Sequence, residues 1–267
     1  MDKVSVIMTT HNSKETFLQS FASIAEQDYP NLEVVIIDGA STDGTVDLIR
    51  KAERASSGRA GFSVVWISEP DHGIYEAMNK GIRKSTGDII GVMNDRFTRK
   101  DALSLMVGAI QDSGALGVHT DLVYSDRGHC VRNWHMGDGK YRKGHYRDLF
   151  LGWLPAHPTL YLYRSVYEQY GLYDTSLRSS ADYEFMLKIL SGKNGEAVPL
   201  AYIPKVLVDM YYGGTSSNGF SGYLRNMAEA YQALKSEGIR PAWFVILCRI
   251  VRTIMQFRQA KHYDAQA

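Results

Sequence analysis

The sequence lacks most of the features that would place it in a specialised class of protein. It has two cysteines, Cys130 and Cys248, which are far apart and show no metal-ligand spacing. Reduced thiols in a cytoplasmic protein are the simplest interpretation of that pattern. No uninterrupted apolar stretch approaches the roughly eighteen residues that a membrane-spanning helix needs. The segment VSVIM begins at residue 4, so we expect no signal peptide. The formal net charge of +1 gives no general argument for nucleic-acid binding.

The residues that are present are sufficient for a sizeable folded domain. The chain has 267 residues, of which 45% are hydrophobic and 22% charged. These proportions are ordinary for a globular protein with a buried core. The first half alternates predicted strands at 4–9, 32–38, 62–67 and 88–93 with predicted helices at about 14–27, 44–54 and 73–84. Repeated units of this kind predict an α/β fold with a mostly parallel, Rossmann-like sheet flanked by helices.

Three apolar segments in this half end in clusters of polar residues. They are VSVIMTTHN at 4–12, VVIIDGASTDGT at 34–45 and GDIIGVMND at 87–95. Buried parallel strands have this pattern when a binding site lies at their carboxyl ends. We therefore predict a nucleotide-binding edge at this end of the sheet.

An ordered set of motifs resembles glycosyltransferase family 2, whose GT-A enzymes include inverting transferases of bacterial surface polysaccharides. The matching segments are VSVIMTTHN, LEVVIIDGASTDGT, SEPDHGIYEAMNKGI, TGDIIGVMND, GWLPAHPTLYLYRSVYEQYGLYD and SADYEF. The resemblance implies a GT-A domain over 1–220, with a nucleotide-sugar half at 1–117 and an acceptor half at 118–220. A C-terminal helical extension would occupy 221–267.

The donor half supplies the predicted contacts with the nucleotide sugar. Asp38 closes a strand beside Gly39, which lets a ligand approach the backbone, and its carboxylate can accept from a base or a ribose. A turn aspartate is the structural alternative for Asp38, and a helix cap is the alternative for residues 9–12. Asp43 more simply caps the next helix and braces the loop. The full predicted set is Thr9, His11, Asn12, Asp38, Asp71, Asn79, Lys80, Asn94, Asp95 and Arg96.

The predicted metal ligand is Asp95, which lies where GT-A enzymes carry their acidic metal-binding motif. The resemblance implies Mg²⁺ or Mn²⁺ there, because a divalent cation stabilises the charge that grows on a departing diphosphate. The chain departs from the family pattern at Arg96, where a second acidic residue is expected. Either Asp95 alone holds the cation, or the Arg96 guanidinium takes over part of the cation's role at the phosphates.

The predicted catalytic residue is Asp182, in the segment SSADYEF. An inverting transferase needs a base that removes the proton of the acceptor hydroxyl. The sequence places Asp182 at the start of an amphipathic helix at about 182–190, so a helix-capping aspartate is the structural alternative. Glu184 is the neighbouring candidate.

The acceptor is expected to contact Trp153 and His157, an aromatic face and a polar group in the segment GWLPAHPT. For Trp153, a place in the core is the alternative. Residues 118–150 are predicted to form a strand-poor, basic and aromatic insert, either an acceptor-diphosphate surface or a solvated loop. The segment 211–218 is predicted to be a loop over the donor phosphates, or an ordinary turn.

The C-terminal segment from Pro241 has the pattern of an amphipathic, basic helix. Trp243, Leu247 and Val251 recur at helical spacing, while Arg249 and Arg252 lie on the other face. Such a helix can lie on the cytoplasmic face of the inner membrane, with its arginines toward anionic lipid. The alternative is a helix that packs on the domain or on a second subunit.

Together these patterns predict a cytoplasmic, inverting glycosyltransferase. It would move a hexose or N-acetylhexosamine from a nucleotide diphosphate sugar, most simply a UDP-sugar, to a lipid-linked saccharide. A nucleotidyltransferase is a second hypothesis, but the loop THNSKET offers only Lys14 for a triphosphate. A third hypothesis is a degenerate transferase that serves as a binding or scaffold subunit, which the arginine at position 96 favours.

Overall fold

A nine-stranded mixed sheet forms the centre of the fold in the computed structural model, which describes residues 1–193, 195–212 and 219–263. The strand order is β3-β2-β1-β4-β10-β6-β11-β5, and β7 pairs with β6 beside this path. A separate hairpin joins β8 to β9. The strands are β1 Val4–Thr10, β2 Leu32–Asp38, β3 Phe62–Ser68, β4 Ile89–Val92, β5 Arg96–Phe97, β6 Gly117–Asp126, β7 His129–Trp134, β8 Tyr141–Arg142, β9 His145–Tyr146, β10 Tyr161–Tyr163 and β11 Leu200–Tyr211.

Four neighbouring parallel strands, β3, β2, β1 and β4, carry the predicted nucleotide-binding edge. Their register sets Thr10 opposite Asp38 and Asp38 opposite Ser68. The polar residues that follow these strands therefore lie along one edge. Beyond β4 the short strand β10 runs antiparallel, while β6 and β11 are parallel to each other. The prediction of a mostly parallel sheet is confirmed.

Helices cover both faces of the sheet because alternate side chains of its strands point to opposite faces. Ile7, Val35 and Ile90 lie in one buried cluster, whereas Val6 and Val34 lie in the other. The helices are α1 Phe17–Ala25, α2 Thr45–Ser56, α3 Ile74–Lys84, α4 Ala102–Ser113, α5 Arg164–Tyr170, α6 Ala181–Leu190, α7 Gly219–Ser236 and α8 Ala242–Tyr263.

The prediction that residues 118–150 are strand-poor is wrong. Strand β6 runs through Gly117–Asp126 in the interior of the sheet, and a turn at Arg127 and Gly128 returns the chain as β7. The sequence concealed β6 because three consecutive polar residues, His119, Thr120 and Asp121, interrupt its apolar pattern although all three are buried. Asp121 is satisfied by hydrogen bonds from Met136 N at 2.8 Å and from the Tyr202 hydroxyl at 2.8 Å.

The C-terminal helix α8 packs against the protein with a face that carries both apolar and polar side chains. Its buried side includes Val245 and Gln256, and it lies against β7 and the 3₁₀ turn Arg147–Leu151. Gly152 (φ +72°) permits this contact, because a Cβ there would stand 2.7 Å from the backbone nitrogen of Arg249. The prediction that the arginines of α8 face lipid needs correction for Arg249, which points inward to the Tyr183 ring at 4.3 Å. Among the described helices, none is long and apolar enough to cross a membrane.

Candidate functional site

The loop after β2 is organised around the buried carboxylate of Asp38. Its Oδ2 accepts hydrogen bonds from Ser41 N at 2.9 Å and from Ser68 Oγ at 2.6 Å, and its Oδ1 accepts from Ser41 Oγ at 2.5 Å. A carboxylate has room for about four such bonds. Asp38 therefore holds the ends of β2 and β3 together, with limited capacity for a base or a ribose.

Asp43 joins this loop to the loop after β1. Its Oδ1 accepts from Thr45 N at 2.9 Å and from Thr45 Oγ1 at 2.6 Å, while its Oδ2 accepts from Lys14 N at 3.0 Å. These bonds, the one from the Thr45 hydroxyl first, lower the pKa of Asp43 to about 2. The bracing role predicted for Asp43 agrees with this geometry.

Three of the predicted donor contacts gather over the backbone of Gly39. The His11 ring Nδ1 lies 2.9 Å from Gly39 O, and a Cβ on Gly39 would stand 2.6 Å from Asp71 Oδ2. Asn12 adopts a left-handed backbone (φ 49°), and its Oδ1 accepts from Thr42 N at 2.9 Å. The side chains of His11 and Asn12 are exposed, so both are accessible to a nucleotide at this edge.

The predicted contacts on α3 are already used within the protein. Asn79 is buried, and its amide clamps the backbone of Tyr173, donating to Tyr173 O at 2.8 Å and accepting from Tyr173 N at 3.0 Å. The Lys80 ammonium forms ion pairs with Glu69 at 2.9 Å and Glu76 at 3.1 Å. Lys80 also donates to Pro70 O at 3.1 Å, so it braces the loop above α3.

Thr9 and Asn94 lock the end of β1 to the segment after β4. Thr9 N donates to Asn94 Oδ1 at 2.7 Å, and Asn94 Nδ2 donates to Thr9 Oγ1 at 2.8 Å. Ser20 Oγ of α1 donates to Asn94 O at 2.8 Å. This pair fixes the position of the next residue, Asp95.

Asp95 and Asp209 bring two carboxylates to the same edge. Burial raises the pKa of Asp95 to about 7, and the negative charge of Asp209 adds to this rise. The hydrogen bond from the Tyr211 backbone N–H and the positive charge of Arg96 act in the opposite direction. Arg96 forms an ion pair with Asp209, which also accepts from Ser125 Oγ at 2.6 Å. The guanidinium of Arg96 is therefore held by a carboxylate of β11, opposite which it lies in the strand pairing.

The donor set around Asp95 fits a divalent cation that is also held by phosphate oxygens. The raised pKa reflects a buried carboxylate near a second one, an environment in which a bound cation favours the ionised form. Because Asp209 is paired with Arg96, Asp95 is the carboxylate left for a cation. Within the described ranges, no group of three or more histidine, cysteine, aspartate or glutamate side chains could hold a metal ion by itself. The remaining ligands would have to come from a diphosphate and water.

Asp182 lies in the first turn of α6, beside three other polar side chains. The Tyr75 hydroxyl donates to Asp182 Oδ1 at 2.8 Å, and this bond crosses from α3 to α6. His157 Nε2 lies 2.7 Å from the Tyr173 hydroxyl. Burial lowers the pKa of His157, while the negative charge of Asp182 opposes that shift. The structure thus brings Asp182 and His157 together, and it adds Tyr75, which the sequence interpretation missed although it lies in a quoted motif.

Glu184 and Trp153 point elsewhere. Glu184 forms an ion pair with Lys188 at 3.3 Å, one helical turn further along α6. Trp153 is 3% exposed, stacks on Tyr146 with 5.0 Å between ring centroids, and donates to Met136 O at 2.8 Å. Trp153 therefore lies in the core, the alternative that the sequence left open, and offers no ring face on which a sugar could stack.

Tyr124 on β6 is within electrostatic reach of both candidate centres, Asp95 and Asp182. Burial raises its pKa, the charge of Arg132 lowers it, and the charges of both Asp95 and Asp182 raise it. The charges of the candidate metal ligand and the candidate base thus act on the same phenol. The sequence placed Tyr124 in the strand-poor insert, and only the pairing of β6 with β7 and β11 brings it to the site.

The chain matches known proteins in both sequence and fold. The model of glycosyl transferase family 2 matches residues 5–171. An uncharacterized glycosyltransferase of Mycobacterium tuberculosis is 34% identical over 114 residues, which are 42% of this chain and 41% of that protein. A putative teichuronic acid biosynthesis glycosyltransferase of Bacillus subtilis is 30% identical over 101 residues, 38% of each chain. The matched region thus spans less than half the length of these two relatives.

Two solved structures share the fold. The TarS fragment 1–349 of S. aureus in complex with UDP-GlcNAc has a TM-score of 0.68 at 18% identity, covering 94% of this chain and 72% of that one. A mannosyltransferase of Pyrobaculum calidifontis in complex with GDP-Man and Mn²⁺ has a TM-score of 0.64 at 19% identity, covering 100% and 76%. These similarities identify the fold as GT-A.

Proposed function

The chain belongs to glycosyl transferase family 2, and from that premise we propose that it is an inverting transferase for a nucleotide diphosphate sugar. The donor would be a UDP-linked hexose or N-acetylhexosamine, and the acceptor a lipid-linked saccharide of a surface polysaccharide. The observation that supports this proposal is that the charges of Asp95 and Asp182 both raise the pKa of Tyr124, so both carboxylates lie within electrostatic reach of one phenol. The Asp95 carboxylate suits the phosphate side of a sugar nucleotide, and the Asp182 carboxylate suits the acceptor side.

The reaction is a single displacement at the anomeric carbon. The acceptor oxygen forms a bond to that carbon as the bond to the phosphate oxygen breaks, and the nucleoside diphosphate leaves with the bonding electrons. Asp182 receives the proton of the acceptor hydroxyl. Its hydrogen bond from the Tyr75 hydroxyl fixes the orientation of the carboxylate, which leaves the second oxygen for the acceptor. One displacement inverts the configuration of the sugar.

Asp95 would hold a divalent cation at the diphosphate. When bound, such a cation stabilises the negative charge on the leaving group. The Thr9–Asn94 pair positions the Asp95 backbone, and His11, Asn12 and Asp71 line the edge where the nucleoside would lie. The mannosyltransferase complex with Mn²⁺ supports this assignment by similarity of fold.

Helix α8 would bring the protein to the cytoplasmic face of a membrane. Its outward side chains include Trp243 at 63%, Leu247 at 50% and Val251 at 48% exposure, with Arg240 and Arg258 exposed near its two ends. An apolar stripe flanked by positive charge suits the interface of an anionic bilayer. Contact with the bilayer would give the enzyme access to a lipid-linked acceptor.

The test of the base is Asp182→Asn. We expect the turnover of sugar transfer to fall by about 10²–10⁴-fold, because general base catalysis contributes that much. Calorimetry with UDP and Mn²⁺ should give the same affinity as the wild type, since Asp182 does not contact the nucleotide. Glu184→Gln is the matched control, two residues further along the same helix and on its other side, and should transfer sugar at nearly the wild-type rate. Unchanged turnover in Asp182→Asn would remove Asp182 from the mechanism, and no nucleotide binding in the wild type would favour the scaffold hypothesis.

A further inference from the structure

Helix α7 makes a group of hydrogen bonds to the segment that precedes α6. The Glu229 carboxylate accepts from Ser179 N at 3.0 Å, from Ser179 Oγ at 3.0 Å and from Arg178 N at 3.3 Å. Three residues earlier, Asn226 Nδ2 donates to Ser179 O at 3.0 Å, and the Asn226 backbone oxygen accepts from Ser180 Oγ at 3.3 Å. Two residues of α7 therefore hold three consecutive residues of this segment.

The segment leads directly into the first turn of α6, which carries Asp182. Ser180 precedes the helix, and its carbonyl oxygen accepts the hydrogen bond from Glu184 N at 2.9 Å that closes the first turn. The Ser180 hydroxyl bonds to α7 and does not cap α6. A helix end without a side-chain cap frays easily. The bonds from α7 therefore support this turn on the N-terminal side of Asp182.

Helix α7 reaches the segment because its apolar side packs on α6. Ala230 and Leu234 of α7 are buried in the same cluster as Ala181 of α6. Residues three or four apart lie on one face of a helix, so Asn226 shares a face with Ala230 and with Glu229. The apolar part of this face fixes α7 against α6, and the polar part contacts the segment before α6.

Asp182 is thus held from two directions. The Tyr75 hydroxyl of α3 bonds to its carboxylate at 2.8 Å, and α7 holds the backbone that leads to it. A base works only when its oxygen lies within hydrogen-bond reach of the proton that it removes. A displacement of about 1 Å can lower turnover by about 10²-fold. The bonds from α7 act on the placement that this reaction requires.

We propose that Asn226 and Glu229 are positioning residues for the base, which makes α7 part of the catalytic apparatus. They act through Asp182 and the turn that carries it. The family model matches residues 5–171, so this role falls to a part of the chain beyond the matched region. The inference rests on the proposed function, because it requires Asp182 to be the base.

Hydrogen exchange followed by mass spectrometry tests these contacts without turnover. In Glu229→Ala, the backbone amides of residues 178–184 should exchange about tenfold faster than in the wild type. Glu229→Gln keeps an acceptor oxygen for Ser179 and should exchange nearly like the wild type. Glu237→Ala is the matched control, because that glutamate follows α7 and lies 3.9 Å from the Lys193 ammonium. It should leave the exchange of this segment unchanged.

The kinetic test follows release of the nucleoside diphosphate from UDP-GlcNAc or GDP-Man, whichever the wild type turns over. Glu229→Ala and Asn226→Ala should lower kcat by about 10–10²-fold, while the KM for the donor and the affinity for UDP with Mn²⁺ stay the same. Glu229→Gln should restore most of the turnover, and Glu237→Ala should match the wild type. Added to Asp182→Asn, Glu229→Ala should lower the residual turnover no further, because no base is left to position.

Three results would overturn the proposal. One is unchanged exchange of residues 178–184 in Glu229→Ala. Another is faster exchange with wild-type turnover, which would make the contact purely structural. The third is a parallel fall in UDP affinity, or a further loss of turnover when Glu229→Ala is added to Asp182→Asn, since either indicates general damage to the fold. Wild-type turnover in Asp182→Asn alone would instead contradict the proposed base, whereas the exchange data would still show whether α7 orders the segment.

Discussion

Removal of the Asp95 charge should make the metal-free protein more stable while it abolishes metal-dependent donor binding. Asp95 is partly buried, near the carboxylate of Asp209, and burial raises its pKa to about 7 from an ordinary value of 3.8. Its ionised form is therefore unfavourable in the folded protein. In Asp95→Asn the side chain keeps its shape and an acceptor oxygen for the Tyr211 N–H, but it carries no charge.

The size of the effect follows from the linkage between ionisation and folding. A carboxyl whose folded pKa is raised contributes stability that is complete below the unfolded pKa of 3.8 and is lost as the pH rises through about 7. Each pKa unit corresponds to about 1.36 kcal/mol, so the difference between 3.8 and about 7 sets an upper limit of about 4 kcal/mol. Asp95→Asn should recover up to that amount at pH 8 and almost none at pH 4.

Urea unfolding in EDTA at pH 8 and pH 4 measures this difference, with UDP calorimetry in Mn²⁺ as the functional readout. Asp112→Asn is the matched control, an exposed aspartate on α4, and should change the free energy of unfolding little at either pH. If Asp95→Asn is no more stable than the wild type at pH 8, or gains the same amount at pH 4, the buried charge does not destabilise the fold. Mn²⁺-dependent UDP binding that survives in Asp95→Asn would remove Asp95 as the metal ligand.

Two further predictions concern the core and helix α8. Burial lowers the pKa of His119 to about 3, and neither ring nitrogen has a hydrogen-bond partner among the described residues, so stability is lost as the pH falls below 6.5. Between pH 7 and pH 4.5, the free energy of unfolding measured in urea should fall by about 3 kcal/mol less in His119→Phe than in the wild type. An equal fall in the two proteins would contradict the role of His119. On α8, the double variant Leu247→Asp, Val251→Asp should float with anionic phospholipid vesicles at least tenfold less than the wild type. Its affinity for UDP should not change. Flotation equal to that of the wild type would exclude the exposed face of α8 as the membrane contact.

The fold of residues 1–117 could be predicted from sequence because its information is local. Strands β1, β2 and β4 are short apolar runs that end in polar loops, and residues 34–45 contain both the strand and its turn. The hydrogen bonds of Asp38 and Asp43 reach mostly to residues within a few positions or to the adjacent loop. A pattern over ten residues is then enough to indicate both the element and the site.

The acceptor half depends on pairs that are distant in sequence. Tyr75 meets Asp182 across 107 residues, and Arg96 meets Asp209 across 113. Neither pair has a periodic signal, and β6 carries buried polar residues that make its apolar pattern irregular. The only local indication of Asp209 is a single aspartate within the apolar run VLVDM. Contacts of this kind arise from topology, which short-range patterns do not specify.

The orientation of α8 follows from the same competition between local pattern and tertiary structure. Amphipathicity alone leaves open whether the apolar stripe faces the protein or another apolar surface. In the structure Leu247 and Val251 of the stripe are exposed, while Arg249 packs on the Tyr183 ring. The inward polar side chains are accommodated because aromatic rings cover Arg132 and Arg249 and because Gln256 accepts a hydrogen bond from Arg132. A contiguous exposed apolar stripe is typical of a surface that contacts a membrane or another protein.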